Sequence, residues 1–312
     1  MKYQEFLDYV QTGIQKIMGD SATVNIIQVN KNNGIVLDGL VIRGKDRNIS
    51  PTIYLNLFYE QYQKGKAKTD IVNEIYQIYH KYSGKANVNI DELMDYDKIR
   101  KNIAYKLVNF EKNKNRLEHM PYVRFLDMAI IFFVKIPGGE DEWKNATFQV
   151  CEEHLKMWKI DIGDLYRDAL YHTPDLLPAQ ICCLEDMLME MIWDREQDNK
   201  EYEAVKKEFE QYREEGQEHM YVLTNQMQLN GAACILYKNV LHEFGEKMKS
   251  NFYIIPSSIH EVLLVPYGGV SAGDLKKMVS EVNERELAEE EILSDNIYYY
   301  DWEKDTIKLI LE

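Results

Sequence analysis

Residues 252–265 read FYIIPSSIHEVLLV, and their reading decides the fold. Two apolar runs, 252–255 and 262–265, flank a polar link and are rich in aromatic and β-branched side chains. Runs this short, bounded by Pro and Ser, suit buried strands better than helices. The link Pro256-Ser257-Ser258-Ile259-His260-Glu261 then becomes a short connection between neighbouring strands. The same grammar continues outward. Residues 220–224 and 232–237 predict strands around Asn230-Gly231, and 240–248 predicts a helix. Residues 274–287 predict another helix, followed by the acidic run Glu289-Glu290-Glu291, and 297–302 with 306–311 predict a closing hairpin.

Upstream, 125–135 and 146–150 predict strands, and 152–158, 164–172 and 184–193 predict helices, with Asp161 placed as an N-cap. Residues 194–218 are densely charged, and Tyr202, Val205, Phe209 and Tyr212 recur at helical spacing, which predicts a long, mostly exposed helix. Near the N-terminus, Phe6, Leu7, Val10, Ile14 and Ile17 make one helical stripe. Asn33-Gly34 tolerates positive φ and predicts a hairpin between 23–29 and 35–43. Further helices are expected from Ser50-Pro51, from Thr69-Asp70, and over 99–110 through Ile99, Ile103, Leu107 and Phe110. Met120-Pro121 marks the expected boundary. The expectation is an α+β fold: a mainly helical region with one β-hairpin over 1–120, then an α+β region over 121–312. The second region carries a mostly antiparallel sheet with flanking helices and the long charged helix.

The chain has 312 residues, 45% of them apolar, enough for a sizeable core. Its net charge of −15 argues against general binding to nucleic acid or anionic lipid. Four cysteines without a C-x-x-C pair predict free thiols and a cytoplasmic protein. Acidic residues Glu5 and Asp8 interrupt the N-terminal stripe, so no secretory leader is expected, and the apolar run 128–134 is too short for a membrane span. The motifs of dinucleotide-binding folds, P-loop enzymes, zinc proteases, α/β-hydrolases and kinases are missing, and no cofactor is expected. Cys151 and His154, three apart, are the one Cys–His pair close in sequence, and they read as surface residues beside solvated acids rather than a metal site.

The 256–261 link is the leading site candidate, because polar groups on a loop held by rigid strands are where binding usually resides. Ser257, Ser258, His260 and Glu261 also supply the residue types of a nucleophile, a base and an orienting acid, though a turn sends adjacent side chains to opposite sides. Between 98 and 116, seven bases stand against one acid, Glu111; this stretch offers a surface for an acidic partner, for RNA, or for the chain's own acidic helices.

Three strings then point to a family. They are YKLVNF (105–110) with Pro121 and FLD (125–127), MYVLTN (220–225) with GAACILY (231–237), and IIPSSIHEV (254–262). Together they resemble an uncharacterised family of gut-dwelling Gram-positive bacteria, domain of unknown function 5688, from about residue 20 onward. The resemblance implies a bacterial cytoplasmic protein and carries over no catalytic residue. It adds weight to Asn225, Ser257, Ser258, His260 and Glu261 as binding residues, since all five lie in the quoted strings. The leading expectation is a non-enzymatic binding or protein-interaction protein, supported by its 22 tyrosines and 13 methionines. The alternatives are a hydrolase with its pocket at the Ser-Ser-Ile-His-Glu turn and a nucleic-acid-associated protein using 98–116.

Overall fold

A computed structural model describes residues 1–45, 50–82, 89–136, 146–195 and 219–310. The fold is α+β, built on three antiparallel sheets. In the first, β1 (Ala22–Asn30) and β2 (Val36–Gly44) form the expected hairpin, and β3 (Thr52–Tyr54) adds to β2. Helices Tyr3–Met18 and Lys68–Tyr82 pack on it, burying Phe6, Val10, Ile14, Ile71 and Ile75 against Val24, Leu40 and Ile42. The helix expected from Ser50-Pro51 begins later, at Asn56–Gln63. The β-formers Thr52, Ile53 and Tyr54 pair with β2 instead, and Ile53 fills the core.

The second sheet holds β4 (Ile103–Asn109), β5 (Tyr122–Phe125), β6 (Met128–Lys135) and β7 (Thr147–Gln149). β4 runs antiparallel to β6 from Ile103 opposite Val134 to Asn109 opposite Met128, while β5 and β7 also pair with β6. This corrects two expectations. The helix over 99–110 is replaced by β4, because both faces of that strand are buried and its near-continuous apolar run imitates helical spacing. The boundary at 120/121 falls inside this sheet, since β4 before it pairs with β6 after it.

The third sheet has six strands in the order β13-β12-β10-β11-β9-β8. They are β8 (Ala179–Cys183), β9 (Tyr221–Asn225), β10 (Phe252–Ile255), β11 (Val262–Pro266), β12 (Ile297–Asp301) and β13 (Thr306–Ile310). One core joins the second and third sheets, with Tyr105, Leu107, Ile130 and Phe132 sharing it with Leu223, Ile254, Leu264 and Tyr298. Leu275 and Val279 of helix Ala272–Arg285 cover Tyr253, Ile255, Val265 and Ile297. The strand expected over 232–237 is a 3-10 helix, Gly231–Leu236. The expected long charged helix over 194–218 lies, beyond Arg195, outside the described residues. Among the described residues, no helix is long and apolar enough to cross a membrane.

The segment 289–296, a 3-10 turn (Glu289–Glu291) and the irregular stretch after it, ties these parts together. Asn33, in left-handed conformation at φ 57°, donates its side-chain amide to the carbonyls of Glu289 and Ile292, both at 2.7 Å. Its side-chain oxygen accepts from Asn113, and its backbone N–H donates back to the Asn113 side chain at 3.0 Å. Asn109 donates to the Leu293 carbonyl at 3.1 Å. The Asp127 carboxylate accepts from Ser294 at 2.6 Å, Asn296 at 3.1 Å and Tyr298 at 2.6 Å. Asn33 and Asn113 are buried, so every lost bond leaves a partner unsatisfied. Asn33→Ala removes these bonds and forces alanine into a left-handed backbone. Urea unfolding should show a loss of about 2–4 kcal/mol, and Asn33→Gly should recover only the backbone part.

Candidate functional site

The structure brings all five sequence candidates together where two turns meet. Asn225 closes the first turn, accepting from the backbone N–H groups of Met227 at 2.9 Å and Leu229 at 3.4 Å and donating to the Leu229 carbonyl at 2.8 Å. The chain then passes through Gln228 and Asn230, both at positive φ, to Gly231. A Cβ on Gly231 would stand 2.2 Å from the Thr224 hydroxyl and 2.5 Å from the His260 carbonyl, so only glycine lets the two turns approach. Small residues 231–234 seal the contact in a 3-10 helix and do not pair as a strand.

The second turn, 256–261, is held mainly through its backbone. Thr224 donates to the His260 carbonyl at 2.8 Å, Ser258 Oγ accepts the His260 N–H at 3.0 Å, and the Ile259 N–H donates to the Glu291 carbonyl at 2.9 Å. The imidazole accepts the Asn230 N–H on Nδ1 at 3.1 Å, which leaves the proton of a neutral ring on Nε2, 3.8 Å from the Glu291 carboxylate. Ser257 Oγ lies 3.4 Å from Glu261 Oε1. Burial pushes the Glu261 carboxyl up, while the Ser257 hydroxyl and His260 partly offset this. The Ser258 hydroxyl therefore meets the His260 backbone and not its ring, and the ring's lone pair is occupied by another backbone group. Nucleophile and base do not form a pair. An open cavity of about 520 Å³ lies by helix Ala272–Arg285, lined by Lys112, Asn283, Glu284, Glu289 and Asp295 among others, and none of the five candidates lines it.

Cys151 and His154 do meet, with Sγ 3.1 Å from Nδ1. The same Nδ1 accepts the Cys151 N–H at 3.0 Å, and the ring stacks on Trp158 at 5.3 Å, so the pair caps helix Glu152–Trp158. Burial pushes the Cys151 thiol up and the His154 imidazole down, which keeps both groups neutral.

The basic stretch divides in two. Lys98 and Arg100 are exposed and sit beside Asp95 and Asp97 at 3.7 and 3.9 Å. Lys106 on β4, Arg116 on the short helix Lys114–Leu117 and Lys31 at the hairpin tip are half-buried, and no carboxylate pairs with any of them among the described residues. Lys106 retains some exposed surface, yet protein encloses its ammonium. Burial first, then the charges of Arg116 and Lys31, push that ammonium down to about 8. Burial also lowers Arg116. Lys31 lies over the Tyr54 ring at 3.9 Å, and Lys106 stands 5.9 Å from the centre of the Phe133 ring.

Sequence reasoning missed a further cluster at the end of β8. Cys183 faces Tyr221 in the β8–β9 register, and the same register continued by two residues sets Glu185 opposite His219. Cys183 Sγ lies 2.5 Å from Glu185 Oε2, and His219 Nδ1 lies 3.3 Å from Glu185 Oε1. Burial raises the Glu185 carboxyl, but the thiol, its own backbone N–H and the imidazole outweigh this and leave it below the ordinary carboxylate range. Burial and the Glu185 contact push the Cys183 thiol up. Only strand register could have revealed this set, because His219 is 34 positions from Glu185.

Two substitutions separate the architectural and chemical roles of the turns. Gly231→Ala should cost about 3 kcal/mol or more in urea unfolding, from overpacking against backbone. His260→Ala should cost about 1–2 kcal/mol, from an unsatisfied Asn230 N–H.

A family model described as "Family of unknown function (DUF5688)" matches residues 3–302. No curated protein and no solved structure matches the chain. With nearly its whole length covered, the chain belongs to this family of unknown function.

Proposed function

We propose that the protein is a non-enzymatic binding protein whose partner presents an anionic group, carboxylate or phosphate, to Lys31, Lys106 and Arg116. The observation that carries this reading is a group of three half-buried cations with no carboxylate paired to them, in a chain whose net charge is −15. Enclosed like charges without a counter-charge are costly, and a charge-assisted contact from an anion offsets that cost. Lys98 and Arg100 of the same stretch already lie beside acids, and like Lys101, Lys112 and Lys114 they are exposed, so water meets their charge. A bacterial, cytoplasmic setting belongs to the same reading, supported by four cysteines that form no disulfide. The hydrolase alternative has no such support, because the His260 ring is bound to backbone and the Ser258 hydroxyl is bound to the His260 N–H.

Titration of the full chain with inorganic phosphate, a glutamate-rich peptide and single-stranded DNA tests the reading. Lys106→Met and Arg116→Met should each weaken the phosphate or the peptide by about tenfold or more, the size of one lost charge-assisted contact, while Lys98→Met should leave both unchanged. Equal affinity in wild type and Lys106→Met for every probe overturns it, and binding of DNA alone would favour the nucleic-acid alternative.

The sign of the pH effect follows from the lowered lysine. Below pH 8 both folded and unfolded Lys106 are protonated, and the folded state bears the whole cost of the enclosed charge. Between about 8 and the unfolded value near 10.4, the folded lysine is the first to lose its proton, so stability rises with pH. Affinity for the glutamate-rich peptide should therefore fall as pH rises through 8. Lys106→Met should raise the stability of the free protein at pH 7 by about 1 kcal/mol, allowing for partial solvent screening.

A further inference from the structure

We propose that Cys183, Glu185 and His219 form a zinc-binding site with three protein ligands. Their ligand atoms all lie within 4.8 Å of one another. Two ligand atoms on one tetrahedral zinc ion stand about 3.3–3.7 Å apart, so side-chain adjustment of about an ångström brings the three onto a common ion. Thiolate, imidazole and carboxylate together form a donor set suited to zinc and ill-suited to calcium or magnesium, which take oxygen.

The backbone fixes all three positions before any ion arrives. Cys183 ends β8, and Glu185 lies in the first turn of helix Leu184–Arg195. His219 precedes β9 by two residues, and the β8–β9 ladder continues past the strand end through the Leu184 N–H to the Met220 carbonyl at 2.9 Å. The three side chains thus come from two hydrogen-bonded strands and a helix start, so little ordering remains when a metal binds.

Charge supplies the second argument. Glu185 is buried, and among the described residues no lysine or arginine pairs with it. Its side-chain partners are a thiol and an imidazole, both ligands in their deprotonated forms. Zinc displaces the Cys183 proton to solvent, and thiolate plus carboxylate then balance the dication, leaving a neutral half-buried centre. The Cys151–His154 pair differs, because Glu153 contacts the thiol without completing a mutual three-ligand group, and the His154 Nδ1 is already held by a backbone N–H. A three-ligand set leaves the fourth tetrahedral position to water or to an incoming ligand.

The test uses the full chain, stripped with chelator and titrated with Zn2+ by calorimetry, and with Co2+ by absorption. One equivalent of Zn2+ is expected at micromolar concentration or below, with proton release that grows as the buffer pH falls. Co2+ should give a sulfur-to-cobalt charge-transfer band. Cys183→Ser should abolish that band, and each of Cys183→Ser, Glu185→Gln and His219→Ala should weaken Zn2+ by about 100-fold or more, beyond the 10–100-fold expected for an outer-shell residue. Cys151→Ser should change neither. Circular dichroism checks that each variant is folded; if Cys183→Ser is not, His219→Ala, with a partly exposed side chain, decides the matter. No binding at 100-fold excess Zn2+, affinity unmoved by His219→Ala, or a band lost with Cys151→Ser overturns the proposal.

Discussion

The segment 289–296, one 3-10 turn over Glu289–Glu291 and the irregular stretch after it, ties the N-terminal hairpin to the rest of the molecule, and the constraint is elementary. Backbone carbonyls that leave water must find donors. A strand or helix finds them internally, and this segment does not. Its carbonyls are met instead by side-chain amides: Asn32 at Glu290, Asn33 at Glu289 and Ile292, Asn109 at Leu293, and Asn283 at Ser294. Those four asparagines come from the N-terminal hairpin, the second sheet and helix Ala272–Arg285. The segment also reaches the 256–261 turn, through the Glu291 carbonyl and carboxylate. Elements that otherwise bury separate hydrophobic clusters are thereby joined at a polar seam.

The most conspicuous polar string in the sequence, at 256–261, has much of its hydrogen bonding taken up within the fold. Ser258, His260 and Asn225 have the residue types of a reactive site, but Ser258 and Asn225 bond within their own turns, and His260 accepts the Asn230 N–H across the contact that Gly231 allows. The groups with unmet demands stand elsewhere. Lys106 has like charges for neighbours, and Glu185 has proton carriers for partners.

Five strands of the six-stranded sheet were legible because they are short apolar runs bounded by Pro, Ser, Asn and Gly, and because β10–β11 and β12–β13 are pairs of neighbours joined by short links, whereas β8 went unread. Helices with one apolar stripe, Tyr3–Met18 and Lys68–Tyr82, were legible for the same reason. β4 was not. Alternation is the signature of a half-buried strand, and Ile103, Ala104, Tyr105, Leu107 and Val108 are all buried, on two faces. Gly231–Leu236 was misread because its apolar composition reflects close packing, not pairing. Of the candidate site, sequence found Ser257, Ser258, His260 and Glu261 because they are neighbours in the chain, and Asn225 through the family strings. It could not find Lys31 beside Lys106, or His219 beside Glu185, because both encounters depend on how distant segments align.

The reach of the seam has a consequence for biosynthesis. Asn33 and Ile292 are 259 positions apart. At about 5–20 residues per second, a ribosome needs on the order of 13–50 s to travel between them. The N-terminal helices and hairpin can bury their own cluster early in that interval, but the Asn33 amide waits in water until the distant carbonyls emerge. Throughout that wait the nascent chain is a set of partly finished pieces, and completion of the fold is a late event in translation, when the carbonyls that meet these amides emerge together with the core residues Leu293, Ile297, Tyr298 and Tyr300.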